Sequence, residues 1–230
     1  MGMAHRALKP ILFLACLWPA LRLAVGAAQL SGLLGALPAV PLGADPIAVL
    51  LHGAGRWALN LLLITLAMTP LRDLTGWPIW LRLRRMVGLF AFFYAALHLA
   101  VYLFLDQGGD FAALWRDVVK RPYITIGMAA LLMLVPLALT STDRAQRRLR
   151  RRWTRLHALV YPVAVLGVWH FWWQVKKDIR EPALYALGLA VLLGYRLWKR
   201  RAALSAARSP AIRAACQAGI RSYPSRCMDP

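Results

Sequence analysis

The chain contains six long apolar runs, separated by short segments in which polar and basic residues concentrate. A helix that crosses a membrane needs about 20 consecutive, mostly apolar residues, and runs of this length are uncommon in soluble domains. The pattern therefore predicts six transmembrane helices, at about residues 10–30, 47–71, 86–105, 122–140, 156–174 and 182–198.

The first apolar run also has features of a signal peptide. His5, Arg6 and Lys9 precede it, and the tripeptide at 25–27 resembles a cleavage site. However, Arg22 lies within the run, and the run exceeds the roughly 7–15 apolar residues of a typical signal peptide. We predict that it is retained as the first membrane helix.

Composition and charge agree with a membrane protein. Hydrophobic residues make up 60% of the 230 residues, and 29 Lys and Arg against 9 Asp and Glu give a formal net charge of +20. In a soluble protein this charge would suggest binding to nucleic acid. Here the cations lie between apolar runs, where orientation in the bilayer and anionic lipid headgroups explain them, so no nucleic-acid partner is predicted.

The basic residues also predict the topology. Alternate loops are strongly basic, and cytoplasmic loops carry the excess of Lys and Arg. These segments lie at about residues 72–85, 143–155 and 199–201. The fold class predicted is an all-α integral membrane protein, a six-transmembrane-helix bundle with both termini in the cytoplasm. The third and fifth spans then both run outward.

Three regions follow from these elements. Residues 1–46 would hold the first transmembrane helix and a periplasmic loop, residues 47–201 the main membrane domain, and residues 202–230 a basic, disordered cytoplasmic tail. No internal repeat is visible in the sequence.

Two histidines in separate spans are predicted at similar depth. His98 lies roughly 20 Å along the third span from its cytoplasmic end, and His170 lies at the corresponding end of the fifth. Two imidazoles at one depth on different helices suit the axial positions of one iron porphyrin. The alternative is that each histidine bonds to a nearby hydroxyl or carbonyl group.

His157 lies at the other end of the fifth span, near the basic loop. On an ideal helix His157 and His170 would point about 140° apart. Either Pro162 re-phases the helix between them, or the two histidines serve different pockets. A second heme at His157 is one hypothesis, although the opposite span offers no evident second ligand. Arg84 and Arg85 could hold heme propionates or a flavin phosphate, or they could serve topology alone. His52 and Arg56 are expected at the outer interface, as a capped and solvated helix start or as a docking or propionate contact.

The sequence shows no dinucleotide-binding glycine fingerprint and no P-loop. Once the spans are assigned, no candidate soluble catalytic domain remains. We therefore predict an electron-transfer subunit rather than a self-contained enzyme, with no catalytic residues of its own.

Four segments together resemble one known family: "HGAGRWALNLLLITLAMTPLR", "RLRRMVGLFAFFYAALHLAVYLFLD", "KRPYITIGMAALLMLVPLALTST" and "RRRWTRLHALVYPVAVLGVWHFWW". The chain is similar to the MsrQ (also YedZ) family, the heme-binding membrane subunits of bacterial methionine sulfoxide reductase systems. These belong with the ferric reductase-like transmembrane domains. The resemblance covers about residues 45–200 and leaves the C-terminal tail unassigned.

The resemblance implies a cofactor set and a role. It implies b-type heme with His98 and His170 as axial ligands, His157 as ligand of a second heme if there is one, and FMN at residues that the sequence does not identify. Electrons would come from quinone or from a cytosolic flavin reductase. They would cross the bacterial inner membrane to a periplasmic molybdopterin-containing methionine sulfoxide reductase that repairs oxidised proteins.

Two other functions fit the residues. One is the membrane subunit of a ferric or other metal reductase, which would also need a separate flavin donor. The other is a small transporter or assembly factor without redox chemistry, for which the purified protein would lack the absorption of a heme.

Overall fold

A computed structural model of the chain describes residues 2–30, 43–175 and 178–208. These residues are almost entirely helical, with nine α-helices and one π-helical turn in the described ranges. The α-helices are α1 (Gly2–Leu30), α2 (Pro46–Thr75), α3 (Ile79–Ala100), α4 (Phe111–Lys120), α5 (Pro122–Leu139), α6 (Asp143–Leu149), α7 (Arg151–His157), α8 (Val160–Gln174) and α9 (Arg180–Arg208), and the π-helical turn is Val101–Asp106.

Five helical segments in the described residues are long and apolar enough to cross a membrane. They are Leu8–Leu30, Pro46–Thr75, Ile79–Asp106, Pro122–Leu139 and Arg151–Gln174. These correspond to the first five predicted spans, and the all-helical, multi-span prediction is confirmed. The predicted sixth span falls within α9, which is a continuous helix but is not among the five.

The chain divides into two compact units, Met1–Leu189 and Ala190–Pro230. In the second unit the structure describes residues 190–208, all of them helical. Helix α9 therefore continues past residue 202, where the sequence predicted the start of a disordered tail, because the apolar and alanine-rich residues there are compatible with a helix. The rest of the predicted tail lies outside the described residues.

Within the first unit, α2 packs along α3 and α5 packs along α8. Small and branched side chains fill the first of these contacts, where Ala54, Leu66, Val87 and Ala91 are almost completely buried. Many large apolar side chains face outward instead, for example Leu14 and Leu132, which are 62% and 63% exposed. Such an outer surface is expected of a protein whose outer solvent is lipid.

Local sequence explains where the helices begin and end. Asp45 caps α2 by accepting a hydrogen bond from the Ala48 amide at 3.0 Å, and Pro46 occupies the first turn, where no backbone N–H is required. Gly76 ends α2 in the left-handed conformation with φ 71°, and its amide donates to the Arg72 carbonyl. The next helix therefore returns antiparallel to α2.

The fifth span is interrupted close to its basic end. Helix α7 ends at His157 and α8 begins at Val160, with the tighter i→i+3 hydrogen bonds Leu159 to Leu156 and Tyr161 to Ala158 between them. Pro162 follows in the first turn of α8 and has no N–H for the regular ladder. The regular helical ladder is therefore interrupted between His157 and His170, and re-phasing of the two side chains by Pro162 stays a prediction.

Candidate functional site

A cavity of about 660 Å³ lies between α2, α3, α5 and α8. Its inner wall is apolar and includes Leu62, Ala91, Leu134 and Val163, all of them buried. Polar side chains gather at the end where α2 and α5 begin and α3 and α8 end, which we call the histidine end of the bundle. A largely apolar cavity with a few polar groups at one side is typical of cofactor sites.

His98 reaches this cavity from the last turn of α3. Its Nδ1 lies 2.9 Å from the carbonyl oxygen of Leu51 in α2. Because a carbonyl oxygen can only accept, Nδ1 carries the proton, and Nε2 is the ring nitrogen with a lone pair. The ring lies against Gly55, one turn after Leu51, where an added Cβ would come within 3.1 Å of Nδ1.

His170 reaches the same cavity from α8 in a matching way. Its Nδ1 lies 2.7 Å from the carbonyl oxygen of Tyr123 in α5. The ring lies against Gly127, one turn after Tyr123, where an added Cβ would come within 2.8 Å of Nδ1. In both cases the carbonyl precedes its histidine by 47 residues.

The two imidazole rings lie close to each other at the histidine end, with their planes nearly perpendicular. Their centroids are 6.1 Å apart and their planes cross at 81°. Two imidazoles bound to one metal ion through bonds of about 2 Å would place their ring centres about 6 Å apart. The predicted juxtaposition of His98 and His170 is therefore present. The alternative prediction, a hydrogen bond to a carbonyl, is present too, and the two are compatible because they use different ring nitrogens.

His157 is far from this arrangement. Its Nε2 lies 3.1 Å from the Thr140 hydroxyl, and its ring stacks on Trp153 at 4.0 Å with the planes 26° apart. Trp153 in turn donates from Nε1 to the Thr140 carbonyl at 3.0 Å. His157 is not among the residues that line the cavity, so the structure gives it hydrogen-bonding and stacking partners at the opposite end of the bundle.

Arg84 and Arg85 also lie at that opposite end, early in α3, and neither lines the cavity. Arg85 forms an ion pair with Asp143 of α6. We call this the arginine end of the bundle, because α6, α7 and the first turns of α3 place their arginines there. The arrangement does not bring these two arginines to the histidine pair.

Cationic and polar groups surround the mouth of the cavity at the histidine end. His52 Nε2 lies 2.6 Å from Gln174 Nε2, and Arg56 forms an ion pair with Glu181 at 3.7 Å. The side chains of His52 and Arg56 line the mouth of the cavity and are exposed, and Asp45 caps this helix, so the predicted capped and solvated helix start is present. A docking or propionate role for them stays a prediction. The sequence placed His52 and Arg56 at this end but gave no sign of their partners.

Arg121 is a mouth residue to which the sequence analysis assigned no role. It contacts the Tyr123 hydroxyl and lies 3.2 Å from Asp117, and together they raise the pKa of its guanidinium. Asp117 also accepts a hydrogen bond from the Tyr102 hydroxyl. Arg56 and Arg121 thus give the mouth two cations beside the histidine pair.

The chain is similar to known proteins over most of its length. Residues 54–168 match the model of a family described as ferric reductase like transmembrane component. A protein of Xanthomonas campestris pv. campestris (strain 8004), called protein-methionine-sulfoxide reductase heme-binding subunit MsrQ, is 61% identical over 170 residues, which are 74% of this chain and 77% of that protein. A protein of the same name from Azospira oryzae is 50% identical over 196 residues, 84% and 80% of the two chains.

The matched segment begins just before Gly55 and contains His98, Gly127 and His157, and the alignments to the relatives cover most of both chains. On this evidence the chain belongs to the MsrQ family of methionine sulfoxide reductase membrane subunits, within the ferric reductase-like transmembrane components.

Proposed function

We propose that the chain binds a b-type heme between His98 and His170 and conducts electrons across a bacterial inner membrane to a methionine sulfoxide reductase. The observation that carries this proposal is the paired geometry of the two imidazoles. Each directs Nδ1 to a helix carbonyl, and the rings lie 6.1 Å apart at one end of a cavity. The relatives are named heme-binding subunits, which supports the choice of heme.

The residues of the cavity fit such a group. Buried apolar side chains form walls for the porphyrin faces, and the glycines behind the histidines leave space for their rings. Arg56 and Arg121 at the mouth are suited to carboxylate groups such as propionates. We therefore propose Arg56 and Arg121 as the propionate contacts for this heme. Arg84 and Arg85 lie at the arginine end of the bundle, away from the two histidines.

When bound, the heme supplies a one-electron redox centre. The protein determines its properties: imidazoles on both faces favour electron transfer over oxygen binding, and the apolar walls exclude water. The hydrogen bonds from Nδ1 to the Leu51 and Tyr123 carbonyls fix the tautomer and strengthen Nε2 as a donor.

The proposed orientation in the membrane rests on the distribution of basic residues. The arginine end would face the cytoplasm and the histidine end the periplasm, with α9 as the sixth span and both termini cytoplasmic. Quinone or a cytosolic flavin reductase would deliver electrons, and a periplasmic molybdopterin-containing subunit would accept them and reduce methionine sulfoxide in envelope proteins. FMN is proposed at the arginine end, where Arg84 and Arg85 could bind its phosphate.

A second heme at His157 stays a separate hypothesis. Its ring nitrogen would have to leave the Thr140 hydroxyl before it could bind iron. The two ends of α8 are roughly 20 Å apart, so an additional carrier near the arginine end would shorten the electron path.

A ferric or metal reductase is the second candidate function, because the matching family is described as ferric reductase like. The same heme pair would serve it. The two functions differ in the electron acceptor at the histidine end, and the identity to methionine sulfoxide reductase subunits favours the first.

The test combines the absorption spectrum of the native, detergent-purified protein with heme quantification by the pyridine hemochrome method. We expect the wild type to contain bound low-spin heme, and His98→Ala or His170→Ala to lose the histidine-end heme. His157→Ala should retain it, and a stoichiometry that falls from two to one in this variant would establish the second heme. Wild-type protein without heme, or either axial variant with an unchanged spectrum, would refute the proposal.

A further inference from the structure

We propose that Gly55 and Gly127 are positioning residues that open one helix carbonyl each to the axial histidines and thereby set the crossed orientation of the two imidazoles. The inference deepens the proposed heme site and rests on it for its spectroscopic consequences. Neither glycine would touch the iron. Each acts through the histidine that packs against it.

The physical reason lies in the geometry of the α-helix. Carbonyl groups point toward the C-terminus, whereas each Cα–Cβ bond tilts toward the N-terminus, so the side chain of residue i+4 lies over the carbonyl of residue i. A donor from a neighbouring helix can reach that carbonyl only if the residue one turn later is small. Glycine at this position leaves the carbonyl accessible, and the carbonyl accepts the imidazole proton in addition to its helical hydrogen bond.

Each axial histidine, together with the carbonyl it contacts and the glycine one turn after that carbonyl, forms what we call a half-site. Both half-sites follow this rule. Gly55 comes one turn after Leu51, and its missing Cβ would lie 3.1 Å from His98 Nδ1 and 3.2 Å from Cε1. Gly127 comes one turn after Tyr123, and its missing Cβ would lie 2.8 Å from His170 Nδ1 and 2.9 Å from Cε1. At 2.8 Å the imidazole or the helix backbone would have to move.

Gly53, Gly88 and Gly188 are also helical but do not lie against an imidazole; an added Cβ at Gly53 would lie 3.2 Å from Leu23. An added Cβ would meet Thr65 at an ordinary 3.6 Å from Gly88, and would meet nothing within 4 Å from Gly188. The contact with imidazole is therefore not a general consequence of glycine in these helices. Its occurrence twice, with the same 47-residue separation between carbonyl and histidine, indicates two equivalent half-sites.

The half-sites predict how the rings are held. Each imidazole is fixed at Nδ1 by a carbonyl and along its Nδ1–Cε1 edge by a glycine, and the two planes cross at 81°. In a ferric heme with crossed axial planes, the two ligands act on different iron d orbitals, which stay nearly equal in energy. The largest g value in electron paramagnetic resonance is then higher than for parallel planes.

The experiment compares heme-loaded wild type with Gly55→Ala, Gly127→Ala and two matched controls, Gly88→Ala and Gly188→Ala. We expect the wild type and the controls to show the high g value of crossed imidazoles. Gly127→Ala should lower this g value, raise the midpoint potential through loss of the hydrogen bond that strengthens the ligand, and weaken heme binding about 10–100-fold. Gly55→Ala should change all three in the same direction but by less, because its contact is looser.

The outcomes separate this inference from the proposed function. A wild type that binds no heme contradicts the proposed function. A wild type with bis-histidine heme but a g value typical of parallel planes contradicts the crossed orientation, without any variant. Gly55→Ala and Gly127→Ala proteins that match the controls in g value, potential and heme affinity contradict the role of the glycines. If Gly127→Ala does not fold, Gly55→Ala decides.

Discussion

At the scale of single residues, the site depends on which atom of each histidine is used. A membrane histidine bonded to a carbonyl would usually be explained as a polar group that has found its partner. Here the bond at Nδ1 directs the other nitrogen of His98 and His170 into one cavity, and the same bond is the usual support of a metal-binding imidazole. The same imidazole therefore can satisfy its polar Nδ1 with a carbonyl and still offer its other nitrogen to a metal ion.

Tyr94 offers a prediction about packing rather than chemistry. It is fully buried in α3, and its hydroxyl donates to the Cys16 carbonyl of α1 at 2.7 Å. Interhelical hydrogen bonds in membrane proteins contribute about 0.6 kcal/mol, up to about 1.7. We expect Tyr94→Phe to lower the free energy of unfolding by this amount and to leave the heme spectrum unchanged.

A thermal-shift series in detergent, followed through the absorption of the heme, measures both effects of Tyr94→Phe. Loss of heme without loss of thermal stability would show that Tyr94 serves the cofactor site. An unchanged melting temperature would show that the hydrogen bond to α1 contributes nothing measurable.

At the scale of elements, α4 is the helix that the apolar pattern did not predict. It has about three turns, too short to span a bilayer, and it joins the end of the third span to the start of α5. Phe111, Trp115 and Val119 form an outward stripe, and each is at least 66% exposed. The opposite side carries Asp117, which bonds to Tyr102 and Arg121 at the mouth of the cavity.

This distribution predicts that α4 lies in the membrane interface with its aromatic stripe in lipid. A nitroxide label at Trp115→Cys, with the native cysteines replaced by serine, should be more accessible to oxygen than to a water-soluble nickel complex. A label at Lys120→Cys, on the polar side, is the matched control and should show the reverse. Equal accessibility of both labels to the nickel complex would place the stripe in water and contradict the prediction.

The start of α4 should depend on pH. The Asp110 carboxylate accepts hydrogen bonds from the amides of Ala113 and Ala112, which hold its pKa below its usual value. A lowered pKa means that the cap stabilises α4 fully above about pH 4 and loses this contribution as the pH falls further. The label at position 115 should therefore become more mobile in acid.

Asp110→Asn separates this titration from other effects of acid. Asparagine also caps helices but does not titrate, so we expect the label in this variant to keep nearly constant mobility over the same pH range. Equal acid sensitivity with and without the substitution would mean that another group controls the first turn of α4.

The sequence predicted the long elements well and the short ones poorly. Apolar length identified the five spans because the bilayer imposes it. Helices α4 and α6 lie between the predicted spans and were not predicted, because their ten and seven residues begin at side-chain caps and lack the apolar length of a span. Their capping residues, Asp110 and Thr142, were the available signal.

At the scale of the whole molecule, the site joins two helix pairs, α2 with α3 and α5 with α8. The sequence placed His98 and His170 at one depth, because topology and rise per residue determine depth. It did not reveal the equivalence of the two half-sites, and no internal repeat was recognised. Each half-site consists of a carbonyl, a glycine one turn later and a histidine at a fixed separation. Every residue has a backbone carbonyl, so the pattern of side chains in the sequence does not show which carbonyl accepts the hydrogen bond.

The last prediction concerns α9, on which the topology depends. If α9 spans the membrane, six crossings place both termini in the cytoplasm, and if it does not, the termini lie on opposite sides. Because Lys199, Arg200 and Arg201 follow its apolar part, we expect α9 to cross with this basic end inside. Green fluorescent protein fused after Arg208 should fluoresce, whereas alkaline phosphatase there should be inactive, and the same phosphatase fused after Asp110 should be active as the control. An active phosphatase after Arg208 would reduce the bundle to five spans and would move the basic end of α9 to the periplasm, against the charge rule that orients the other helices.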